Sequence, residues 1–342
     1  MGYSRQHGVF MNLFFPCWLF VSEKGEKMKR IMIGGICLLL VCGLGGCASI
    51  EKPFFNMGLG FEHYWSGLAY KTVKVDEQDV AYLEREGEGD TIVLLHGFTG
   101  DKDNWIYFVR YIPEPYRVLA IDMPGHGDNE QDMDAVYTVK YFTDEVTRTF
   151  DALELERFHL VGNSFGGLVS IHYALNNPEK VITLGLFDSA GVFSPTPSKL
   201  QGLLDKGDNP FFVTSREDFD RLMDLCFYEQ PCFPWPAMAV FSRKYIQRRG
   251  LYQKMWNDFY PTSKKKDLRD KLPEVKMPTF VLWGDKDRLL DASCVEVFKR
   301  YLPDVRAVIM KNCGHLPMLE RPEEAAEHYI RFLQQVSGTP NT

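Results

Sequence analysis

Positive charge is scarce in this 342-residue chain: 39 Lys and Arg stand against 46 Asp and Glu, a formal net charge of −7. That balance offers no basic field for a nucleic-acid backbone and no polybasic patch for an anionic membrane. Four of the eight cysteines, Cys17, Cys37, Cys42 and Cys47, crowd the first 47 residues. The others, Cys226, Cys232, Cys294 and Cys313, lack metal-ligand spacing, so no metal is expected. In an oxidising compartment Cys226 and Cys232 are the nearest pair, with reduced buried thiols the equal alternative. Internal repeats and low-complexity tracts are missing, which excludes a solenoid. The apolar run from Ile31 to Leu44 falls short of the about 20 residues a spanning helix needs.

What that run fits is an export signal. Met28-Lys-Arg precedes it and Leu44-Gly-Gly-Cys47-Ala-Ser closes it. A charged start, an apolar stretch of about 7–15 residues and small residues at its end make a secretory signal. The cysteine after Leu-Gly-Gly resembles a bacterial lipobox, which implies cleavage before Cys47 and its lipidation. Several acyl chains hold a protein on a bilayer far better than one. An uncleaved anchor helix is the alternative. Either tethers the rest of the chain outside the cytoplasm; the lipobox resemblance implies that it is lipid-anchored in a bacterial cell envelope, and Ser49 after Ala48 points to the outer membrane, facing periplasm or surface. A second apolar run from Val9 to Val21, broken by Pro16, would be redundant, so residues 1–27 are read as a mis-assigned extension.

Beyond the leader, strands are expected at about 71–75, 79–84, 91–95, 117–121, 158–162, 181–187, 279–283 and 305–310. Helices at about 104–112, 138–154, 165–176, 292–302 and 322–336 separate most of them. This alternation specifies an α/β fold with a mostly parallel eight-stranded sheet covered on both faces, its first two strands forming an antiparallel edge hairpin. The chemistry sits past strand ends, where open parallel sheets place it. Gly162-Asn-Ser164-Phe-Gly166 lies between a strand and a helix. A serine in so sharp a turn needs small residues two positions away on each side, which marks Ser164 as a nucleophile. His96-Gly97-Phe98 follows another strand, and the amides of Phe98 and Phe165 are candidate oxyanion donors. His96 itself is expected to brace its loop.

Asp285-Lys-Asp287 and Gly314-His315 complete the pattern. His315, with an ordinary pKa near 6.5, is the candidate base for Ser164, and Asp287 the candidate acid that orients it. Asp285 is expected to bond turn amides, and Asp188 is a second candidate acid with a role in shaping its loop. The order Ser, Asp, His, together with Lys102-Asp-Asn-Trp105, Asp122-Met-Pro-Gly-His-Gly127 and Glu320-Arg-Pro, resembles the α/β-hydrolase superfamily over residues 70–336. Within it the chain is most similar to monoacylglycerol lipases and bacterial lipase-3-type enzymes. That resemblance implies a cofactor-free serine carboxylester hydrolase acting on acyl esters such as monoacylglycerols. Carbon–carbon bond hydrolases of ring-cleavage products share the Gly-Asn-Ser-Phe-Gly-Gly wording, but their His-Gly-x-Gly-Pro-Gly loop is absent here. A surface lipoprotein that only binds a partner is the third reading.

From Ser194 to about Thr262 the alternation stops, prolines recur, and aromatics exceed the 14% of the whole chain. Here the family inserts a helical cap. Most cap aromatics are its own core, while Phe211, Phe212, Phe233 and Trp235 are candidates to face an acyl chain. Residues 52–68 either lie among lipid headgroups or dock onto the domain, and docking is favoured because three glycines weaken a free helix. The expected divisions are 28–46 signal, 47–70 anchor and linker, 71–193 and 263–336 hydrolase core, 194–262 cap and 337–342 tail, in a monomer.

Overall fold

The computed structural model describes residues 48–263 and 267–338. The expected extension 1–27, the expected signal 28–46 and Cys47 lie outside the described residues. The chain divides into two compact units, whose described parts are 48–59 with 231–241, and 60–230 with 242–338.

The larger unit is built on one eight-stranded sheet: β1 (Ala69–Val75), β2 (Gln78–Arg85), β3 (Thr91–Leu95), β4 (Arg117–Ile121), β5 (Phe158–Asn163), β6 (Val181–Phe187), β7 (Thr279–Gly284) and β8 (Val305–Met310). Their spatial order is β1-β2-β4-β3-β5-β6-β7-β8. Strand β2 runs antiparallel to β1 and β4, and every other pairing is parallel. Every residue of β5 and β7 is buried, as continuous apolar runs require in a sheet covered on both faces. At the edges, β1 and β8 keep only their last residue buried. The expected α/β architecture, with its edge hairpin, is therefore the observed one.

Helices α2 (Ile106–Val109), α3 (Val139–Ala152), α4 (Phe165–Asn176), α8 (Cys294–Tyr301) and α10 (Pro322–Ser337) connect the strands, with α9 (Pro317–Glu320) just before the last. The helix expected at 104–112 is shorter, because residues Lys102–Trp105 tighten into a 3₁₀ turn capped by the Asp101 side chain. Between β6 and β7 lie α5 (Lys199–Leu204), α6 (Arg216–Cys226) and α7 (Ala237–Ser263), the helical cap insertion.

Ahead of β1, Ala48–Trp65 forms a helix, α1, despite Pro53 and its glycines. Within the larger unit its end is fixed by polar contacts: His63 Nε2 lies 2.6 Å from Asp103 Oδ1, Arg110 Nε donates to Ser66 Oγ at 2.9 Å, and Arg110 pairs with Glu62. Tertiary partners here override weak propensity. In the smaller unit, Phe233 meets Phe241 at 5.9 Å between ring centroids and Trp235 meets Phe54 at 5.9 Å. Cys226, Cys294 and Cys313 are buried free thiols, so Cys226 and Cys232 do not pair.

Candidate active site

Strand β5 delivers the candidate nucleophile into a strained turn. Ser164 has φ 54° and ψ −119°, a conformation that costs a non-glycine residue about 1–3 kcal/mol. Hydrogen bonds hold it there: its amide donates to Phe187 O at 3.0 Å, and its carbonyl accepts from Ala190 N at 3.0 Å. The flanking glycines have no substitute. A β-carbon on Gly162 would stand 2.4 Å from Gly166 O, and one on Gly166 would stand 2.4 Å from His96 O. Phe165 opens α4, so its amide has no acceptor within the helix and is available to a ligand.

The loop after β3 lies against this turn. A β-carbon on Gly97 would come within 3.2 Å of Ser164 Cβ, so Phe98 follows directly beside the serine. His96 is fully buried, accepts from Met123 N through Nε2 at 3.0 Å and uses Nδ1 toward Gly97 O at 2.8 Å. Burial lowers its pKa to about 4, so it is a neutral brace, as expected.

Loops after β7 and β8 bring Asp287 and His315 together. Asp287 Oδ2 lies 2.7 Å from His315 Nδ1, and its Oδ1 accepts from the amides of Leu289 at 2.7 Å and Leu290 at 3.0 Å. With Nδ1 facing the carboxylate as donor, Nε2 is the nitrogen without a hydrogen, as the candidate base requires. His315 N donates to Cys226 O at 2.8 Å, and Asn163 Nδ2 donates to His315 O at 3.2 Å. The imidazole backbone is thus tied to the residue next to Ser164. Asp285 accepts from Asn312 N at 2.7 Å and serves its own turn.

Two features were not read from the sequence as site residues. Asn163 links β5 to His315, and Glu320 accepts from Gly314 N at 2.9 Å and Glu229 N at 2.8 Å, fixing the loop ahead of His315. The motif pieces Lys102 and Asp122 make a buried ion pair at 3.0 Å, extended by Lys102 to Asp128 at 2.6 Å. Asp122 Oδ1 also accepts from Lys102 N at 2.7 Å, so the pair fastens the loop after β3 to the one after β4.

From the cap, α7 reaches the same loops. Lys244 Nζ meets Asp101 at 2.6 Å, Thr99 Oγ1 donates to Tyr245 OH at 3.1 Å, and Arg248 Nη2 donates to Gly127 O at 2.7 Å. Around Phe98 stand Phe211 at 5.4 Å, Phe259 at 5.2 Å, Trp256 at 5.8 Å and Phe165 at 6.4 Å between centroids. Of the acyl-chain candidates, Phe211 joins this aromatic wall and half-buried Phe212 follows it, whereas Phe233 and Trp235 belong to the smaller unit.

A family model for the alpha/beta hydrolase fold matches residues 90–322. Lipase 1 of Psychrobacter immobilis is 31% identical over 279 residues, 80% of this chain and 86% of that protein. Monoacylglycerol lipase ABHD6 of Bos taurus is 27% identical, over 82% of this chain and 87% of its own. A solved structure described as a membrane phospholipase A, a bacterial virulence factor, is 38% identical with a TM-score of 0.81, covering 90% of this chain and 99% of that one. With strand order, serine turn and family match in agreement, the chain belongs to the α/β-hydrolase fold family.

Proposed function

We propose that this protein is a serine carboxylester hydrolase of the lipase and esterase kind, cleaving acyl esters such as monoacylglycerols. Ser164 Oγ attacks the ester carbonyl while His315 Nε2 takes its proton. The oxyanion is held by the amides of Phe98 and Phe165, each such donor being worth about 10²–10³ in rate. His315 returns the proton to the departing alcohol, then activates the water that releases the acid, and Asp287 steadies the charged imidazole in both steps. The observation that carries this reading is the 2.7 Å bond from Asp287 to His315, whose backbone is tied to the residue preceding a strained serine. The lipase names of the relatives point the same way.

The acyl chain would lie along the wall of Phe98, Phe211, Trp256 and Phe259. We assign the enzyme to a membrane surface, lipidated at Cys47. Supporting this, α1 follows Cys47 directly and exposes Phe61 (38%), Tyr64 (79%) and Trp65 (43%), aromatic groups suited to a headgroup layer. Chromogenic acyl esters of graded length, with a fluorophosphonate probe, test the whole reading. Hydrolysis favouring medium or long chains and labelling of Ser164 are expected. A protein that is neither labelled nor hydrolytic would be a binding protein instead, and ring-cleavage products as the better substrates would favour the carbon–carbon alternative.

A further inference from the structure

The site holds a carboxyl that the mechanism above does not use. Asp188 follows β6 as Asp287 follows β7, and the two strands are neighbours in parallel register, Phe187 beside Leu282. Asp188 is fully buried. One of its oxygens accepts from Gly284 N at 2.9 Å, while the other, Oδ2, is buried with no hydrogen-bond partner among the described residues. An oxygen of Asp188, an oxygen of Asp287 and a ring nitrogen of His315 all lie within 4.8 Å of one another. The residue is also held at φ 44°, left-handed backbone that a non-glycine residue rarely keeps without a reason in the surrounding fold.

Two carboxylates this close cannot both carry charge cheaply. Asp287 is the one with the donors, two amides and the imidazole. Burial first, and the negative charge of Asp287 second, push the Asp188 carboxyl well above its ordinary range. Glu320 adds more negative charge, and the nearby Cys313 thiol is neutral, its own pKa raised by burial. Protonation leaves one negative charge on the pair, matching the single imidazolium that forms.

Resting on the serine-hydrolase reading, we propose that Asp188 is a second acid for His315, a positioning residue kept neutral while Asp287 is ionised and able to take its place. In Asp287→Asn the like charge is gone. Burial alone then opposes ionisation of Asp188; its proton goes to solvent as the imidazole turns toward it, and its free oxygen accepts the Nδ1 hydrogen of His315.

A double-mutant cycle of Asp188→Asn and Asp287→Asn, read as kcat/KM on a chromogenic ester, tests this. Loss of the orienting acid costs a triad of this kind about 10⁴-fold. Asp287→Asn is expected to lose at least tenfold less than that. Asp188→Asn should then cost at least tenfold more in the Asp287→Asn background than in the native one, and equal costs in the two backgrounds would overturn the proposal. If the double variant does not fold, the pH profile of Asp287→Asn alone decides. Its acidic limb should move to higher pH, because a buried carboxyl must now ionise before the imidazole is held; an unmoved limb is the negative result. Ser164→Ala run alongside separates the two ideas. Retained activity there defeats the serine-hydrolase reading itself, while an inactive Ser164→Ala with equal costs for Asp188→Asn defeats only the role of Asp188.

Discussion

Around Ser164 nearly every positioning contact has main chain on at least one side. The serine amide and carbonyl, the Leu289 and Leu290 amides, the Gly314 amide and the Cys226 carbonyl fix the turn and the two loops opposite it. In the cap, position depends on side chains. Three polar contacts from α7 and a cluster of rings hold it to the loops after β3 and β4. Backbone contacts survive most substitutions, whereas side-chain contacts change with every one. The geometry of the reacting groups is therefore expected to withstand most substitutions around them, and the substrate choice of this enzyme to be adjustable.

The sharpest way to break that contrast is at the serine. Ser164→Ala should lower turnover by about 10⁴–10⁶-fold, since members of a triad act as a unit. Its melting temperature should not fall, and removing a strained hydroxyl-bearing residue costs no buried contact that the fold needs. Next in size is the base of the loops. Lys102→Met takes the cation from beside Asp122, a carboxyl with 0% side-chain exposure that burial already pushes up to about 7, and breaking a buried pair in this way is worth about 3–5 kcal/mol of stability by denaturant titration. A loss below about 1 kcal/mol would mean that the ion pair is not what fastens the two loops.

The same division explains what could be read from the sequence. The strands, their order of appearance and the turn at Ser164 were legible because buried parallel strands are short apolar runs and the turn tolerates only glycine at 162 and 166. Asp287 and His315 were legible from their place after strand ends. Asp188 was visible as a candidate, but its lone buried oxygen beside Asp287 was not, because that depends on β6 and β7 being neighbours. The helix at Ala48–Trp65 was underestimated for a related reason. Propensity registers Pro53, Gly58 and Gly60, and has no knowledge of Asp103 and Arg110 waiting 40 and 48 residues further along to bind His63 and Glu62. Nor could spacing sort the cap aromatics into those facing Phe98 and those of the smaller unit.

Within the cap, effects should shrink and change in kind. Phe211→Leu keeps an apolar side chain but removes ring contacts to Phe98 and Trp256 at 5.4 and 5.3 Å. A shift of roughly tenfold in the ratio of kcat/KM between long and short acyl esters is expected, the low end of what a few carbon atoms in a pocket can discriminate. A uniform loss across chain lengths would instead assign Phe211 to the cap's own core.

The smallest effect tests whether the polar contacts of α7 carry any of the attachment. Lys244→Ala removes the partner of Asp101, and the pair is partly shielded, with side-chain exposures of 31% and 17%; about 1 kcal/mol is expected. Burial works to raise the Asp101 pKa, but the charges of Lys244 and Lys102 outweigh it and hold the carboxyl below its usual range. A depressed carboxyl contributes stability that is fully present above its unfolded pKa of about 3.9 and is lost as pH falls toward its folded value. The gap in urea stability between the native protein and Lys244→Ala should therefore be constant from neutral pH down to about 5 and close below about 4. If it stays open in acid, the lysine holds the cap through its packed aliphatic stem and not through its charge.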